Sequence, residues 1–102
     1  MSTSSVEQAN APLARQVTVS GGMLTVQLND GRVISVPIEW YPRLSHGTDK
    51  ERGNWRLIGR GDGIRWPDLD EDLSVDGLLA GRRSGETERS FKKWLEARKK
   101  RV

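Results

Sequence analysis

Apolar and polar residues alternate along the first half of the chain, which is the pattern of β-strands that bury one face. The alternation runs through residues 17–19 and 24–28, and residues 33–36 add a third apolar run. A Gly-Gly pair separates the first two runs, and an Asp-Gly pair separates the second and third. Asp-Gly favours a tight hairpin turn, because both central residues of such a turn have positive φ. The pattern predicts a three-stranded antiparallel meander.

Capping and turn residues after the meander predict short helices. Pro42 suits the first turn of a helix, where its missing N–H costs nothing, and Gly47 is a natural C′ residue for that helix. Thr48 and Glu51 have the spacing of a capping box, which predicts a second short helix. Farther along, Ser74 can cap a third.

The middle of the chain predicts a second hairpin. Residues 55–58 and 64–66 are apolar runs that each contain a tryptophan, and residues 59–63 between them are rich in glycine. Glycines between two strands are typical of a turn, whereas a phosphate-binding loop needs a helix directly after it. Residues 67–72 then form a predicted acidic loop.

The C-terminal segment predicts a basic amphipathic helix. Phe91, Trp94 and Leu95 recur at helical spacing, and residues 87–102 contain seven Lys/Arg and two Glu. The rest of the chain holds ten Lys/Arg and twelve Asp/Glu, so a mildly acidic body carries a basic tail. An isolated helix of about 12–15 residues is marginal in water. Its apolar face must therefore pack on this domain's own sheet, in a partner's groove or on a membrane surface, and the last is disfavoured by its shortness.

These elements predict an α+β fold in which a small antiparallel sheet, made of the meander and the second hairpin, packs with short helices and the basic C-terminal helix. Along the chain they predict a flexible arm at 1–14, the α+β domain at 15–81, a linker at 82–86 and the basic helix at 87–102. Trp55 and Trp66 are expected in the core, because they lie beside the apolar positions of the strands.

Composition excludes several classes of protein. The chain has 102 residues and no cysteine, which rules out disulfides, thiolate metal sites and thiol catalysis. The first ten residues lack the apolar core of a signal peptide, and no apolar run approaches the roughly 20 residues that span a bilayer. We therefore expect a cytoplasmic protein with no membrane role and no cofactor.

Candidate catalytic chemistry is sparse. His46 is the only histidine, and Asp49 or Glu51 nearby could assist it as an acid or base. A histidine at a helix end is more often an exposed residue whose charge complements the helix dipole. No serine lies in the sequence context of an activated nucleophile, so the sequence predicts a protein that is not an enzyme.

Two sets of side chains are candidate contacts. The acidic segment could hold a hard cation through its carboxylates, but no glycine supplies the sharp turn of a calcium loop. A solvated acidic loop or a surface that docks a basic partner is therefore favoured. The candidate partner contacts are Trp40, Tyr41, Asp68, Asp70, Glu71 and Asp72. The candidate contacts for nucleic acid or for an acidic partner are Lys92, Lys93, Arg98, Lys99, Lys100 and Arg101.

The order of motifs resembles a family of small bacterial proteins called domain of unknown function 2442. The residues that carry the resemblance are LTVQLNDGRVISV at 24–36, PRL at 42–44, NWRLI at 54–58, GIRWPDLDEDLS at 63–74 and GLL at 77–79. The WPDLDEDLS run is the most specific part.

The resemblance implies a compact α+β fold with no established activity. Some members of that family occur beside small toxin-like proteins, which implies an antitoxin-like or regulatory role in binding a partner. Others are fused to helix-turn-helix domains, whereas this chain has only its single basic helix. The leading hypothesis is therefore a non-enzymatic protein-interaction module, and the alternative is nucleic-acid binding through the C-terminal helix.

Overall fold

A computed structural model describes residues 11–100 and contains six strands and four α-helices in those residues. Most of the predicted arm and residues 101–102 lie outside the described residues. The strands are β1 (Ala14–Ser20), β2 (Met23–Leu28), β3 (Val33–Pro37), β4 (Arg56–Ile58), β5 (Gly63–Trp66) and β6 (Glu71–Ser74). The helices are α1 (Pro42–His46), α2 (Asp49–Gly53), α3 (Val75–Leu79) and α4 (Glu88–Lys100). The α+β prediction is confirmed.

The first sheet is the predicted meander, with antiparallel order β1-β2-β3 and a bulge at the start of β1, between Ala14 and Gln16. The turn between β2 and β3 differs from the two-residue form expected from Asp-Gly. Only Gly31 has positive φ, at 95°, while the Asp30 carboxylate accepts a hydrogen bond from the Arg32 amide at 3.0 Å. The loop is therefore longer than a two-residue turn, and the aspartate closes it through its side chain.

The second sheet has antiparallel order β4-β5-β6, so the predicted hairpin is confirmed and gains a third strand. The sequence predicts a loop over all of residues 67–72, and this is wrong for the last two residues. Strand β6 begins at Glu71, which pairs with Trp66 of β5. Asp70 makes the reversal possible, since it adopts the left-handed conformation at φ 50°. A short polar strand that starts inside an acidic run gives little alternation from which to predict it.

The short helices form where their capping residues predict them. The Thr48 hydroxyl accepts a hydrogen bond from the Glu51 amide at 3.1 Å, and the Glu51 carboxylate accepts one from the Thr48 amide at 2.9 Å. Gly47, however, has φ −71°, so it is not the left-handed C′ residue that the sequence predicts. A glycine fits there because a Cβ would lie 2.9 Å from both δ-methyl groups of Leu69.

The core is shared by both sheets and by helices α1 and α3. Its buried members are Ala14, Val17, Leu24, Val26, Leu28, Val36, Tyr41, Leu44, Ile64, Trp66, Leu69, Val75 and Leu78. Trp66 is fully buried and donates its indole N–H to the Arg52 carbonyl at 3.0 Å, whereas Trp55 packs at the core's margin. The sheets are joined by the backbone, since the Ala14 amide donates to the Gly61 carbonyl at 2.8 Å.

The predicted linker, residues 82–86, is attached to the domain. The Tyr41 hydroxyl donates to the Arg82 carbonyl at 3.0 Å, and the Ser84 amide donates to the Trp40 carbonyl at 3.1 Å. These bonds carry the chain across the domain to the start of α4. Across residues 11–100, none of the helices has both the length and the apolar character needed to cross a bilayer.

Candidate functional site

Helix α4 packs on its own domain through its aromatic residues. The Trp94 indole N–H donates to the Leu69 carbonyl at 3.0 Å. Two guanidinium groups lie over the same ring, that of Arg43 at 5.5 Å and that of Arg98 at 4.7 Å from its centre. Phe91 stacks against Trp94 with 5.6 Å between ring centres. The apolar face that the sequence left without a partner is thus placed on the chain's own α+β body.

An ion pair fixes the C-terminal half of α4. Arg98 donates to both carboxylate oxygens of Glu51, at 3.0 and 2.9 Å. The hydrogen bonds from Arg98, followed by the amide of Thr48, lower the pKa of Glu51 to about 2. The geometry is the bidentate pairing that arginine and carboxylate favour. Arg98 was a candidate partner contact, and the structure instead directs it inward.

A second ion pair fixes the segment before α4. Arg43 pairs with Glu86 at 2.5 Å, with only 18% and 8% of the two side chains exposed. Hydrogen bonding from Arg43 lowers the pKa of Glu86, and the Ser90 hydroxyl also donates to that carboxylate at 2.8 Å. The helix is therefore held at its start, middle and end.

The remaining cations of α4 point away from the body and form what we call the basic ridge. The members of the basic ridge are all exposed: Arg89, Lys92, Lys93, Lys99 and Lys100. Glu88 and Glu96 lie among them and are also exposed, so the helix surface keeps a net positive charge. Arg101 lies outside the described residues. Four of the predicted contacts, Lys92, Lys93, Lys99 and Lys100, thus share one supported surface.

The acidic candidates do not form one free surface. Asp68 accepts a hydrogen bond from Asn54 at 2.9 Å, while Asp70 and Asp72 pair with Arg65 at 3.0 and 2.8 Å. The Asn54 amide carries no charge, whereas Arg65 of β5 offsets part of the negative charge of the two aspartates with which it pairs. Within residues 11–100, no three His, Asp or Glu side chains are grouped so that they could hold a metal ion.

Glu71 differs from its acidic neighbours because it is half-buried. Burial raises the pKa of its carboxyl to about 7, and the charges of Glu86 and Asp72 add to the rise while that of Arg43 opposes it. It begins strand β6, which the sequence did not predict, so nothing in the sequence distinguishes it from the acids beside it.

The two aromatic candidates have different environments. Tyr41 is only 2% exposed and belongs to the core, so its assignment as a surface contact is corrected. Trp40 is partly exposed, as the sequence predicts, and the Arg83 guanidinium lies 4.6 Å from its ring centre. That contact has the geometry of a cation–π interaction.

His46 lies at the exposed end of α1, against the helix α4 aromatics. Its ring meets Phe91 edge-on at 5.9 Å. Among residues 11–100 its side chain makes no hydrogen bond to Asp49 or Glu51, since Glu51 is engaged by Arg98 and Asp49 by Arg52. The arrangement has the character of a packing contact.

Sequence reasoning missed the residues that anchor α4. Arg43 and Glu86 are 43 residues apart, and Glu51 and Arg98 are 47 apart, so no local spacing links either pair. The capping-box role of Glu51 was visible, but its bond to Arg98 depends on the tertiary fold.

Comparison with known proteins identifies relatives of the body of the domain. Residues 14–84 match a family model described as "Protein of unknown function (DUF2442)". The matched range ends before α4. A crystal structure of a protein of unknown function from Rhodospirillum rubrum is 29% identical, with 78% of this chain and 96% of that chain covered and a TM-score of 0.65. An NMR structure of an uncharacterized protein from Chromobacterium violaceum is 24% identical, covers 82% of each chain and shows the same fold, with a TM-score of 0.66. No curated protein matches the chain.

Proposed function

The chain belongs to the DUF2442 family, and from this premise we propose that it is a non-enzymatic binding domain whose basic ridge docks on an acidic protein partner. The observation that supports this most strongly is the anchoring of α4. Trp94 and Arg98 are occupied by the domain itself, so the ridge cations stand on a fixed support.

The use of the aromatic face also bears on the mode of binding. A helix that enters a partner's groove, or lies on a membrane, needs a free apolar face. The aromatic residues Phe91 and Trp94 of α4 face each other and the domain, which leaves charge as the main feature of the outer side. Complementary charge gives specificity and fast association more than raw affinity.

The resemblance to a family with members beside toxin-like proteins favours a small bacterial protein as the partner, in an antitoxin-like or regulatory role. The proposed setting is the cytoplasm. The acidic candidates Asp70 and Asp72 contribute less, because Arg65 already pairs with both.

The test compares two double charge reversals in the full chain. Lys92→Glu with Lys93→Glu removes the centre of the ridge. Arg56→Glu with Arg60→Glu makes the same charge change at exposed positions in β4 of the second sheet and in the turn that follows it. Each variant is used as bait in its native cytoplasm at about 150 mM salt, where screening is effective beyond about 8 Å.

We expect wild type and the second-sheet variant to retain one acidic protein that the ridge variant loses by at least tenfold. Equal retention by the ridge variant, or no retained protein at all, would contradict the proposal. Purified partner and wild type should then show an affinity that falls as salt rises.

Nucleic-acid binding is the second candidate, and the linear arrangement of the ridge favours it. The ridge runs from Arg89 to Lys100, which corresponds to roughly 16 Å along a helix at 1.5 Å per residue. Cations spaced over such a length can neutralise several phosphates, and affinity then falls steeply with salt. Labelled duplex DNA and single-stranded RNA should bind wild type and not the ridge variant. Equal binding by both chains, or by neither, would contradict this candidate.

A further inference from the structure

A cavity of about 230 Å³ lies away from the ridge, between β6, α3 and the segment 82–85. Glu71 and Ser74 line it from the strand, Leu78 from the helix, and Ser84 from the segment that crosses the domain. Tyr41 completes the lining from the core. A cavity of this size accommodates a small ligand or one long side chain.

Hydrogen bonds hold the walls of the cavity in place. The Tyr41 hydroxyl is committed to the Arg82 carbonyl at 3.0 Å, and the Ser84 amide to the Trp40 carbonyl at 3.1 Å. Glu86, just beyond, is fixed by Arg43. The cavity is therefore formed before any ligand enters, which lowers the entropic cost of binding.

Glu71 is a carboxylate of this cavity that has no side-chain hydrogen-bond partner within residues 11–100. Its neighbours Asp70 and Asp72 are paired with Arg65, and Glu86 with Arg43. Within residues 11–100, by contrast, no side chain donates a hydrogen bond to the Glu71 carboxylate, which is half-buried. The Asp72 backbone amide lowers the pKa of the Glu71 carboxyl, but burial outweighs that effect. A ligand that supplies N–H donors and positive charge offsets the cost of burying the charged form.

We propose that this cavity is a binding site for a primary ammonium or guanidinium group, held by an ion pair with Glu71. Leu73 and Leu78 in the lining suit the alkyl part of such a ligand. Arg82 and Arg83 also line the cavity. The cation whose charge lowers the pKa of Glu71 is Arg43, which is already paired with Glu86 and Asp70 and so does not replace the ligand. The site is independent of the basic ridge and of the protein partner proposed above.

The probes are N-methylguanidinium, n-butylammonium and tetramethylammonium, which has the charge but no N–H donor. Each is titrated into the full chain at pH 8 and constant ionic strength, and amide chemical shifts are followed. We expect millimolar binding of the first two, with shifts centred on Ser74, Gly77 and Ser84, and at least fivefold weaker binding of tetramethylammonium. Equal shifts with all three cations would overturn the proposal.

Two matched variants identify the carboxylate. Glu71→Gln should weaken binding of N-methylguanidinium at least tenfold, whereas Asp76→Asn, an exposed change on α3 outside the cavity lining, should alter it less than twofold. Unchanged binding in Glu71→Gln would overturn the proposal. A blocked Gly-Arg-Gly peptide separates the two sources of the group: tighter binding than the free cation indicates a side chain of another protein, and weaker binding a small molecule.

The pH dependence of wild-type binding gives a test that needs no variant. The charged and titratable groups around Glu71 are Arg43, Glu86, Asp72 and Tyr41, and Arg82 and Arg83 also line the cavity. The pKa of Glu86 is lowered and those of Arg43 and Tyr41 are raised, so none of these three changes charge between pH 6 and 8. With the pKa of Glu71 at about 7, binding should be about tenfold weaker at pH 6 than at pH 8. Equal affinity at both pH values would overturn the proposal.

Discussion

The pKa values of two glutamates in this chain are shifted in opposite directions by their surroundings. Glu51 receives two hydrogen bonds from Arg98, which lower its pKa to about 2, whereas burial raises the pKa of Glu71 to about 7. Both start from an ordinary value of 4.5. Their effects on stability therefore occupy separate pH ranges, one below and one above that value.

Replacing Glu51 by Gln should destabilise the protein at neutral pH. Glutamine retains an acceptor for the Thr48 amide but loses the charge that pairs with Arg98. The expected loss is about 1–2 kcal/mol at pH 7, reduced from the full pKa effect because both side chains are 22% exposed. Urea unfolding measures it.

The stability lost in Glu51→Gln relative to wild type should decrease as the pH is lowered. The folded pKa lies below the unfolded one, so the stabilisation by Glu51 is complete above about pH 4.5 and disappears toward pH 2. The control is Asp49→Asn, whose carboxylate is fully exposed and should cost much less. A constant difference between wild type and Glu51→Gln from pH 7 to pH 3 would contradict the assignment.

Replacing Glu71 by Gln should have the opposite effect on stability to replacing Glu51. The folded pKa lies above the unfolded one, so wild type is favoured below about pH 4.5 and loses stability as pH rises toward 7. Glutamine removes the buried charge, and we expect Glu71→Gln to be more stable than wild type by about 1–3 kcal/mol at pH 8. Unfolding free energies at pH 5 and pH 8 measure it, and a destabilised variant at pH 8 would contradict the assignment.

These two residues also mark the limit of prediction at this scale. The spacing of Thr48 and Glu51 predicted the capping box, because that motif is local. The environment of Glu71 was not predictable from the sequence. Glu71, and not its acidic neighbours, becomes half-buried only when β6 pairs with β5 and residues 82–85 cross above it. Tyr41, expected on the surface, is buried for the same reason.

At the scale of elements, helix α4 depends on few contacts with the rest of the domain. Trp94→Phe keeps an aromatic ring and removes the N–H that bonds to Leu69. One lost hydrogen bond costs about 1 kcal/mol, so amide exchange in residues 91–98 should accelerate about fivefold. Exchange in β2, at the centre of the first sheet, is the internal control and should not change. Equal acceleration in both elements would show that α4 does not open separately.

Local patterns predicted most elements, and their failures have physical causes. Alternation identified β1, β2 and β3, and helical spacing identified α4, because each buries a continuous face. Strand β6 was missed because its pairing with β5 depends on a left-handed Asp70, a conformation that the sequence does not signal. The docking of α4 was left open because its partners Arg43 and Glu51 are distant in sequence.

At the scale of the molecule, Gly61 holds the two sheets together. It is buried at φ 119°, and a Cβ there would lie 2.5 Å from the Ala14 carbonyl oxygen. Gly61→Ala should therefore cost about 3 kcal/mol or more, through both backbone strain and displacement of β1. Gly81→Ala is the control, since that residue has φ 72° with open space around it and should cost only about 1 kcal/mol. Thermal unfolding compares them, and equal costs would contradict the role of Gly61.

The bulge between Ala14 and Gln16 has a consequence for the behaviour of concentrated solutions. β1 is an edge strand, and edge strands can pair with strands of other molecules and so start aggregation. Its kink interrupts the ladder on one side of the first sheet, and Pro37, which lacks an amide hydrogen, ends β3 on the other. In the second sheet the outer strands are only three and four residues long. Fibril growth by strand addition is thus discouraged along every border that the described residues present.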